Sequence, residues 1–476
     1  MKHLLAPLSV FIVLLALNAS AQTLRPEPPP NIILILADDL GYGELGSYGQ
    51  KLIATPHLDR MAAEGLRFTQ FYAGSTVCAP SRSVLMTGQH TGHTRVRGNA
   101  GPNRPGAQTL LPEDVTVARV LQGAGYRTGL VGKWGLGLID EPGEPRKQGF
   151  DTYFGFLSQT HAHNHFPDFL WRDGVKVPLP NDLVKVGPVE GVGYATRKLA
   201  YAGDLFAQEA RAFVAENARR PFFLYLSVIV PHANNERARE LGDGHEVPDF
   251  GPYADKPWPD TVKAHAATIT RLDAQVGELM ADLKARGLDR RTLVIFTSDN
   301  GPHNEAGPAY DPKFFEVCGP LSGIKRSLTE GGIRVPLIAH WPGTIAAGGV
   351  SDHVGYFGDF FATFAELAGL TIPANLDSLS LAPTLLGHGA QKRHPYLYWE
   401  FHENGVSQAV LLDGRWKGIR ENNVMAPIKL YDLTADLAEQ TDLAAKHPEI
   451  VTRLAELMRT AHTPNEHWII PGLSAP

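Results

Sequence analysis

The sequence predicts an α/β fold in which a large mixed, mostly parallel sheet is flanked by helices and followed by a small C-terminal α+β subdomain. Three observations support this prediction: short continuous apolar runs, helical patterns between them, and a different pattern after residue 384. Strands buried on both faces of a parallel sheet form continuous apolar runs, and their alternation with helices is typical of α/β proteins. The chain has 476 residues, 43% hydrophobic and 20% charged, which is a globular composition with enough residues for more than one core.

Five apolar runs are predicted to be strands of the large sheet. They lie at 32–37, near 126–134, and from 221, 292 and 335 onward. Helical periodicity separates them, for example over 115–125 and over a long segment from 264 that Gly287 is expected to end.

Beyond residue 385 the pattern changes to short strands. PYLYWEF, QAVLLDGRWKGIRE and IKLYDL are predicted strands, with Asp413-Gly414 as a hairpin turn. HPEIVTRLAELMRTAH is predicted to be a closing amphipathic helix. We therefore divide the chain into a signal peptide (1–21), a main domain (22–384) and a C-terminal antiparallel α+β subdomain (385–476).

The N-terminus has the pattern of a secretory signal. Lys2 and His3 precede a short apolar run, and Ala19-Ser20-Ala21 has the small side chains of a cleavage site. This predicts cleavage after Ala21 and a periplasmic or secreted protein. A membrane anchor is the alternative, but the run is short for a spanning helix, and we expect no membrane span after signal removal. The net charge of −6, with both signs mixed, gives no electrostatic argument for nucleic acid as a partner.

Two segments, 140–200 and 233–262, are rich in Pro, Gly and His and are predicted to be long loops. They are too long to be simple connectors, so we expect them to form the rim of a binding site. Their aromatic and polar side chains suit the faces of sugars. The side chains in question are Trp171, His161, His163, His165, His245 and Trp258.

Two of the predicted strands end in matching polar pairs, Asp38-Asp39 and Asp299-Asn300. Ligands of open α/β sheets collect at the carboxyl ends of strands, so we expect these pairs to converge. Three carboxylates would repel one another unless a cation lay between them, and oxygen ligands select calcium or magnesium over zinc. For Asp38-Asp39 alone a turn or a helix cap is the alternative, but the presence of both pairs favours a cation site.

The segment CAPSRSVLMTG places Cys78 at a predicted helix start, where anions bind and an inert thiol gains little. The order Cys78, Pro80, Arg82 and then Thr87-Gly88 resembles the signature of the type I sulfatases, in which the cysteine is oxidised to formylglycine. The resemblance covers nearly the whole chain. It includes GKW at 132–134, PH at 231–232, SDNG at 298–301, the lysine of GPLSGIKRSLTEGGIRVP at 325, and LYDL near the C-terminus.

The resemblance is to arylsulfatases and N-acetylgalactosamine sulfatases of the alkaline phosphatase superfamily. It implies an alkaline-phosphatase-like fold with its catalytic domain at 22–384. It also implies a formylglycine-generating maturation enzyme as a partner, and a hydrated aldehyde that attacks the sulfur of a sulfate ester. A serine would leave a slowly hydrolysed sulfated serine, whereas the second hydroxyl of the hydrate expels the sulfate. A Cys78–Cys318 disulfide would rule out this chemistry. Cys318 has no role in the family pattern.

The resemblance assigns further roles around position 78. Asp38, Asp39, Asp299 and Asn300 would bind one Ca²⁺, which polarises a hydroxyl of residue 78 and a sulfate oxygen. The other assignments are Arg82 as partner of the hydrate, Lys133 and Lys325 as ligands of sulfate oxygens, and His232 near the leaving oxygen or the sulfate. Taken singly, the two lysines would be interpreted as solvated surface residues and His232 as an ordinary loop histidine.

One position departs from the family pattern. The family usually reads Gly-Lys-Trp-His-Leu-Gly, whereas this chain reads GKWGLG, with Gly135 in place of a histidine that helps to release sulfate. This departure has three interpretations: the site is inactive, Gly135 makes room for a substrate group, or another histidine replaces the missing one. We predict that His161 or His163 supplies the missing function or binds the substrate sugar. Ordinary loop histidines are the alternative.

The predicted function is hydrolysis of sulfate esters of carbohydrate, of the galactose or N-acetylgalactosamine type, with release of inorganic sulfate. One alternative is a phosphonate or phosphodiester hydrolase of the same superfamily, which would favour a transition metal and histidine ligands. Another is a non-catalytic glycan-binding relative. Only Gly135 supports it, and it requires Cys78 to stay unmodified.

Overall fold

The described residues form one large sheet, one small C-terminal sheet and a two-stranded ribbon. These come from a computed structural model that describes residues 29–100 and 104–473, so the predicted signal peptide lies outside the described residues. Within the described ranges, none of the helices combines the length and the apolar character needed to cross a bilayer.

The strands are β1 (Asn31–Asp38), β2 (Leu66–Tyr72), β3 (Arg127–Lys133), β4 (Thr152–Phe156), β5 (Phe169–Arg172), β6 (Val175–Pro178), β7 (Asp182–Lys185), β8 (Gly193–Arg197), β9 (Phe222–Pro231), β10 (Thr292–Ser298), β11 (Arg334–His340), β12 (Gly349–Ser351), β13 (Gly355–Tyr356), β14 (Tyr396–Phe401), β15 (Ser407–Leu412), β16 (Trp416–Arg420) and β17 (Lys429–Asp432). The α-helices are α1 (Pro56–Ala63), α2 (Cys78–Thr87), α3 (Val117–Gly123), α4 (Ala202–Glu216), α5 (Asn235–Leu241), α6 (Asp260–Ala285), α7 (Glu330–Ile333), α8 (Asp359–Leu367), α9 (Ala382–Leu386) and α10 (Pro448–Thr460).

The large sheet has 11 strands in the order β12-β2-β11-β10-β1-β9-β3-β4-β5-β6, with β13 also paired to β2. Its centre, from β10 through β1, β9 and β3 to β4, is parallel. The flanking pairs β10–β11, β11–β2, β4–β5 and β5–β6 are antiparallel. The prediction of a mixed, mostly parallel sheet is confirmed.

Strand β1 shows why the continuous apolar runs are strands, since all eight of its residues are buried. Ile32, Leu34 and Leu36 belong to the core on one side of the sheet. Ile33 and Ile35 belong to the core on the other side, which includes residues of helices α1, α4 and α6. The period of two along a strand requires both sets to be apolar when helices cover both faces.

All five predicted strands of the large sheet are present, as β1, β3, β9, β10 and β11. The predicted helices correspond to α3 and α6, and α6 ends just before Gly287. The segment 140–200 differs from the prediction, because it contains strands β4 to β8 rather than one long loop. Strands β6 and β7 are largely exposed, so they lack the apolar runs by which the others were found.

The C-terminal part is an antiparallel sheet, β14-β15-β16-β17, with α10 packed on it. Asp413 has the positive φ of a hairpin turn, 53°. The junction with the main domain contains a buried ammonium group: Lys417 of β16 lies 2.7 Å from Glu330 of α7 and 3.2 Å from Glu439. The predicted small antiparallel subdomain is therefore present, joined to the main domain partly by buried charges.

Candidate active site

Four polar residues of the site lie at the carboxyl ends of four neighbouring parallel strands. Strand β1 ends at Asp38, β10 is followed directly by Asp299, β3 ends at Lys133, and β9 is followed by His232. Helix α2 begins at Cys78, and the Cys78 thiol contacts Asp38. The first turn of α2 therefore lies at the same edge of the sheet. Parallel neighbours have their carboxyl ends on one edge of the sheet, which is why residues far apart in sequence meet here.

The oxygen-bearing side chains surround position 78 closely. The Cys78 Sγ donates to Asp38 Oδ1 at 3.2 Å. The Asp39 backbone N–H donates to Asp299 Oδ1 at 3.1 Å, and Asn300 Nδ2 donates to Asp39 Oδ1 at 2.6 Å. Asn300 Oδ1 is buried and accepts no hydrogen bond from the described residues. The two polar pairs therefore converge, as the sequence predicts.

Three buried cationic side chains neutralise these carboxylates. Lys133 Nζ lies 2.6 Å from Asp38 Oδ2, and Lys325 Nζ lies 2.8 Å from Asp39 Oδ2. Arg82 donates through Nε and Nη2 to Asp299 Oδ2, at 3.1 and 2.8 Å. Arg82 Nη1 also donates to the Lys133 carbonyl at 2.7 Å, which ties α2 to the end of β3.

His232 has a defined tautomer at the centre of the site. Its Nδ1 donates to the Ala233 carbonyl at 2.6 Å, so Nε2 carries a lone pair. Lys325 Nζ donates to that Nε2 at 3.0 Å. Burial and the nearby Lys325 charge hold the pKa of His232 well below its usual value. The ring is therefore neutral and accepts a hydrogen bond.

The charges determine how the acids of the site titrate. Burial alone would raise the pKa of Asp38, but the positive charges of Lys133 and Arg82 hold it well below its usual value. Burial and the neighbouring Asp38 raise the pKa of Asp299 to about 7. Burial, Asp299 and Asp38 raise the pKa of the Cys78 thiol well above its usual value. An unmodified Cys78 is therefore a thiol here, not a nucleophilic thiolate.

The structure brings His163 to this cluster but not His161. The His163 ring stacks on His232, with centroids 4.9 Å apart, and its Nδ1 lies 3.0 Å from Glu236 Oε2. His161 is only 2% exposed, and its ring packs against Phe156 and Phe169. A direct contact between His161 and a substrate would require this aromatic packing to open.

The other loop side chains differ in their surroundings. His165 is buried and its Nε2 donates to the His232 carbonyl at 2.8 Å, so it supports the loop that carries His232. His245 is buried among other histidines. Trp171 and Trp258 are only partly buried, and Trp258 stacks on Tyr253.

The space beside Gly135 is filled by another residue. A Cβ at position 135 would lie 2.1 Å from Gln159 Nε2, and Gly135 has a φ of +82°. Both polar atoms of the Gln159 amide are buried without a hydrogen-bond partner among the described residues. This chain therefore places an amide where a side chain at position 135 would extend.

Two carboxylates of the site were missed by the sequence analysis. Glu305 lies 3.0 Å from Lys325 and also pairs with Arg326, and Glu236 orients His163. Glu305 follows SDNG by four residues and Glu236 follows the PH motif by four, and that closeness was the only available signal. Within the described part of the chain, Cys78 and Cys318 are free thiols, so the structure has no Cys78–Cys318 bridge.

Comparisons with known proteins agree with this geometry. The sulfatase family profile matches residues 30–370, and the profile for the C-terminal part of N-sulphoglucosamine sulphohydrolase matches residues 324–463. Arylsulfatase A from Homo sapiens is 35% identical over 94% of this chain and 89% of its own length. N-acetylgalactosamine-6-sulfatase from Mus musculus is 35% identical over 81% of this chain and 72% of its own length.

Solved structures extend the likeness to the fold. The crystal structure of Ps i-CgsB has a TM-score of 0.75 and 26% identity, covering 94% of this chain and 95% of that one. A structure titled for glycosaminoglycan metabolism by Bacteroides thetaiotaomicron has a TM-score of 0.71 and 29% identity, covering 91% of this chain and 99% of that one. Together with the family match over most of its length, these comparisons show that the chain belongs to the sulfatase family and is a sulfuric ester hydrolase.

Proposed function

We propose that the protein hydrolyses sulfate esters of carbohydrate, of the galactose or N-acetylgalactosamine type, and releases inorganic sulfate. It would use formylglycine formed from Cys78 and one calcium ion. The observation that carries this proposal is the convergence of Cys78, four oxygen-bearing side chains and two buried lysines at one edge of the sheet.

The donor set fits a calcium ion. Asp38, Asp39, Asp299 and Asn300 are fully buried and offer only oxygen atoms, which suit a hard cation. Asn300 Oδ1 has no hydrogen-bond partner within the described ranges, as a ligand atom awaiting a cation would. When bound, the ion would neutralise the carboxylates and polarise a sulfate oxygen.

The charge balance supports an anionic substrate. With their carboxylates ionised, the three aspartates balance the charges of Lys133, Lys325 and Arg82, while His232 is neutral and Glu305 pairs with Arg326 as well as Lys325. A divalent cation would make this cluster positive, which is complementary to the negative charge of a sulfate monoester. Electrostatic attraction in a buried site is stronger than in water.

Residue 78 needs an oxygen nucleophile. The thiol is held protonated by burial and by its carboxylate neighbours, so unmodified Cys78 is poorly suited to attack sulfur. The hydrate of formylglycine would supply an attacking oxygen, which takes the sulfate, and a second hydroxyl. Loss of the proton from that second hydroxyl re-forms the aldehyde as the bond from carbon to the sulfated oxygen breaks. Arg82 holds Asp299 and the end of β3 in fixed positions beside that residue.

The lysines and histidines act on the substrate. Lys133 and Lys325 would hold sulfate oxygens while negative charge accumulates in the transition state. His232 Nε2 accepts from Lys325, so it orients that ammonium beside the sulfate or the leaving oxygen. His163, oriented by Glu236 and stacked on His232, would bind the sugar near its leaving oxygen.

The carbohydrate assignment draws on the relatives. One is named N-acetylgalactosamine-6-sulfatase, and Ps i-CgsB has been solved in complex with k-i-k-neocarrahexaose. A steryl-sulfatase from Mus musculus, however, is also 32% identical over 87% of this chain. The substrate panel therefore has to include aryl and steroid sulfates.

The experiment measures sulfate release by protein made with a formylglycine-generating enzyme and supplied with calcium. The substrates are sulfated galactose and N-acetylgalactosamine, an aryl sulfate, a steroid sulfate and a phosphodiester. We expect release from at least one sugar sulfate, none from Cys78→Ala, and unchanged release from Cys318→Ala. A preference for the phosphodiester would favour the alternative hydrolase. Binding of sugar sulfates without release by fully modified protein would favour the non-catalytic alternative.

A further inference from the structure

A cluster of three buried histidines lies outside the residues of the proposed mechanism. It consists of His245, His265 and His303, which are 4%, 1% and 1% exposed. One ring nitrogen from each lies within 4.8 Å of those of the other two. The proposed mechanism uses none of these rings. We call them the three-histidine cluster.

Hydrogen bonds fix the orientation of two of the rings. His245 Nδ1 lies 3.1 Å from the Thr261 carbonyl and donates to it, so His245 Nε2 carries a lone pair. His265 Nε2 lies 2.5 Å from Glu44 Oε1 and donates to it, so Nδ1 of the neutral His265 ring also carries a lone pair. These two nitrogens are 3.2 Å apart.

Two lone pairs at that distance repel each other unless a cation lies between them. The cation is either a proton on His265 or a metal ion. Nitrogen ligands of one tetrahedral zinc ion, with bonds of about 2.0–2.1 Å, lie roughly 3.3 Å apart. The observed 3.2 Å separation matches that spacing.

We propose that the three-histidine cluster binds a divalent transition-metal ion of the zinc class, separate from the oxygen-lined site at residue 78. Histidine ligands commonly donate their second nitrogen to a carboxylate or a backbone carbonyl, which fixes the ring for metal binding. Glu44 does this for His265, and Thr261 does it for His245. Imidazole ligands suit zinc, copper and nickel, whereas the carboxylates of the other site suit calcium.

His303 is the third and weaker ligand. Its Nε2 lies 3.5 Å from His245 Nε2 and 3.1 Å from the Pro231 carbonyl. Its Nδ1 accepts the backbone N–H of Glu305 at 3.0 Å, so Nε2 now carries the hydrogen. Before His303 Nε2 can bind a metal ion, its hydrogen has to move to Nδ1. The hydrogen bond from the Glu305 backbone N–H to Nδ1 then has to break. We therefore expect His303 to add less affinity than the other two.

The test uses the full-length protein, stripped of metal with a chelator and returned to buffer with excess calcium to fill the oxygen-lined site. Zinc binding is measured by titration and elemental analysis, and Co²⁺ serves as a spectroscopic probe of tetrahedral nitrogen ligation. The variants are His245→Gln, His265→Gln and His303→Gln. The matched control is His340→Gln, which changes a buried histidine at the end of β11.

We expect one equivalent of zinc and a tetrahedral Co²⁺ spectrum in the unmodified sequence and in His340→Gln. His245→Gln and His265→Gln should each weaken zinc binding at least 100-fold, and His303→Gln about tenfold. Cys78→Ala should bind zinc normally, because this site does not depend on sulfate hydrolysis.

Either of two results would overturn the proposal. One is the absence of zinc binding in the unmodified sequence under these conditions. The other is zinc binding that His265→Gln leaves unchanged. If that variant fails to fold, ¹⁵N NMR of the histidine rings in the zinc-treated native protein decides the question. A His265 ring with hydrogen on both nitrogens would mean that a proton occupies the position of the metal.

Discussion

Lys325 contacts three groups of the site through one ammonium. Its Nζ lies 2.8 Å from Asp39 and 3.0 Å from both His232 and Glu305. Burial would lower the pKa of Lys325, but the charges of Asp39 and Glu305 raise it well above its usual value. Lys325 is therefore positively charged at neutral pH, as its proposed contact with a sulfate oxygen requires.

Replacing Lys325 with Gln removes that charge while keeping a polar side chain. We expect kcat/KM for a sulfate ester to fall about 10²- to 10³-fold, because a donor aimed at developing charge is lost. Lys147→Gln, at an exposed lysine, should leave the kinetics unchanged. A loss of less than about fivefold in Lys325→Gln would contradict the assigned role.

His161 is the clearest case of a buried titratable ring away from the reacting groups. Burial lowers its pKa from 6.5 to about 3. The unfolded chain therefore binds a proton at a higher pH than the folded protein does. The stability that His161 contributes is fully present above pH 6.5 and falls as the pH drops toward 3.

His161→Phe should reduce the pH dependence of stability. Between pH 7 and pH 5 the protonation of this histidine in the unfolded chain costs about 2 kcal/mol, and the variant should not lose that amount. Urea denaturation of both proteins at the two pH values measures the difference. If both proteins lost the same free energy of unfolding between pH 7 and pH 5, the pKa of His161 would not be lowered in the folded protein.

The strands differ in how well the sequence reveals them. Strands β1, β9 and β10 are buried on both faces, so they form continuous apolar runs that are visible in the sequence. The exposed strands β6 and β7 have no such run, so the sequence predicts a loop where they lie. Their formation depends on pairing with neighbours, which a local pattern does not encode.

The same limit applies to the site. The residues at strand ends, such as Asp38 and Asp299, were predictable because their strands were. Glu305 and Gln159 lie in connecting segments, and Glu236 lies in the short helix α5. Their positions at the site depend on tertiary packing, so closeness to the SDNG and PH motifs was the only local signal for the two glutamates, and Gln159 had none. The resemblance to a family assigned roles only to the positions that match its motifs. It did not indicate which residue fills the space beside Gly135.

Strand β3 has little room beside β9. A Cβ at Gly132 would lie 1.9 Å from the Ser227 carbonyl oxygen, and Gly132 has a φ of +108°. Gly123, at the end of α3, has nothing within 4 Å of its Cβ position. The next residue after Gly132 is Lys133, so movement here would displace a side chain of the site.

Gly132→Ala should therefore destabilise the protein by more than about 2 kcal/mol and lower activity, because backbone must move to admit the methyl group. Gly123→Ala should instead stabilise it by roughly 0.5–1 kcal/mol through the helix propensity of alanine. Urea denaturation distinguishes the two. Similar effects of both substitutions would contradict the close β3–β9 packing.

The main domain and the C-terminal sheet share a buried ion cluster. Lys417 is fully buried between Glu330 and Glu439, and Glu330 also accepts from Tyr72 and pairs with Arg334. Removing the ammonium would leave two carboxylates buried close to each other. The stability of the junction should therefore depend on this one side chain.

We expect Lys417→Met to cost about 3–5 kcal/mol in the free energy of unfolding. Lys429→Met, which removes an exposed pair with Glu421, should cost at most about 1 kcal/mol. Equilibrium unfolding in urea measures both values. A loss of less than 1 kcal/mol in Lys417→Met would mean that the buried cluster is not needed at the junction.

The measurement that tests the account most directly is the mass of the peptide that carries position 78. The protein should be produced with a formylglycine-generating enzyme and digested without reduction. We predict an aldehyde in place of the thiol, since CAPSR followed by Thr87-Gly88 carries the signature in which the cysteine is converted. A peptide that keeps its thiol, or one linked to Cys318, would remove the nucleophile and contradict the proposed mechanism.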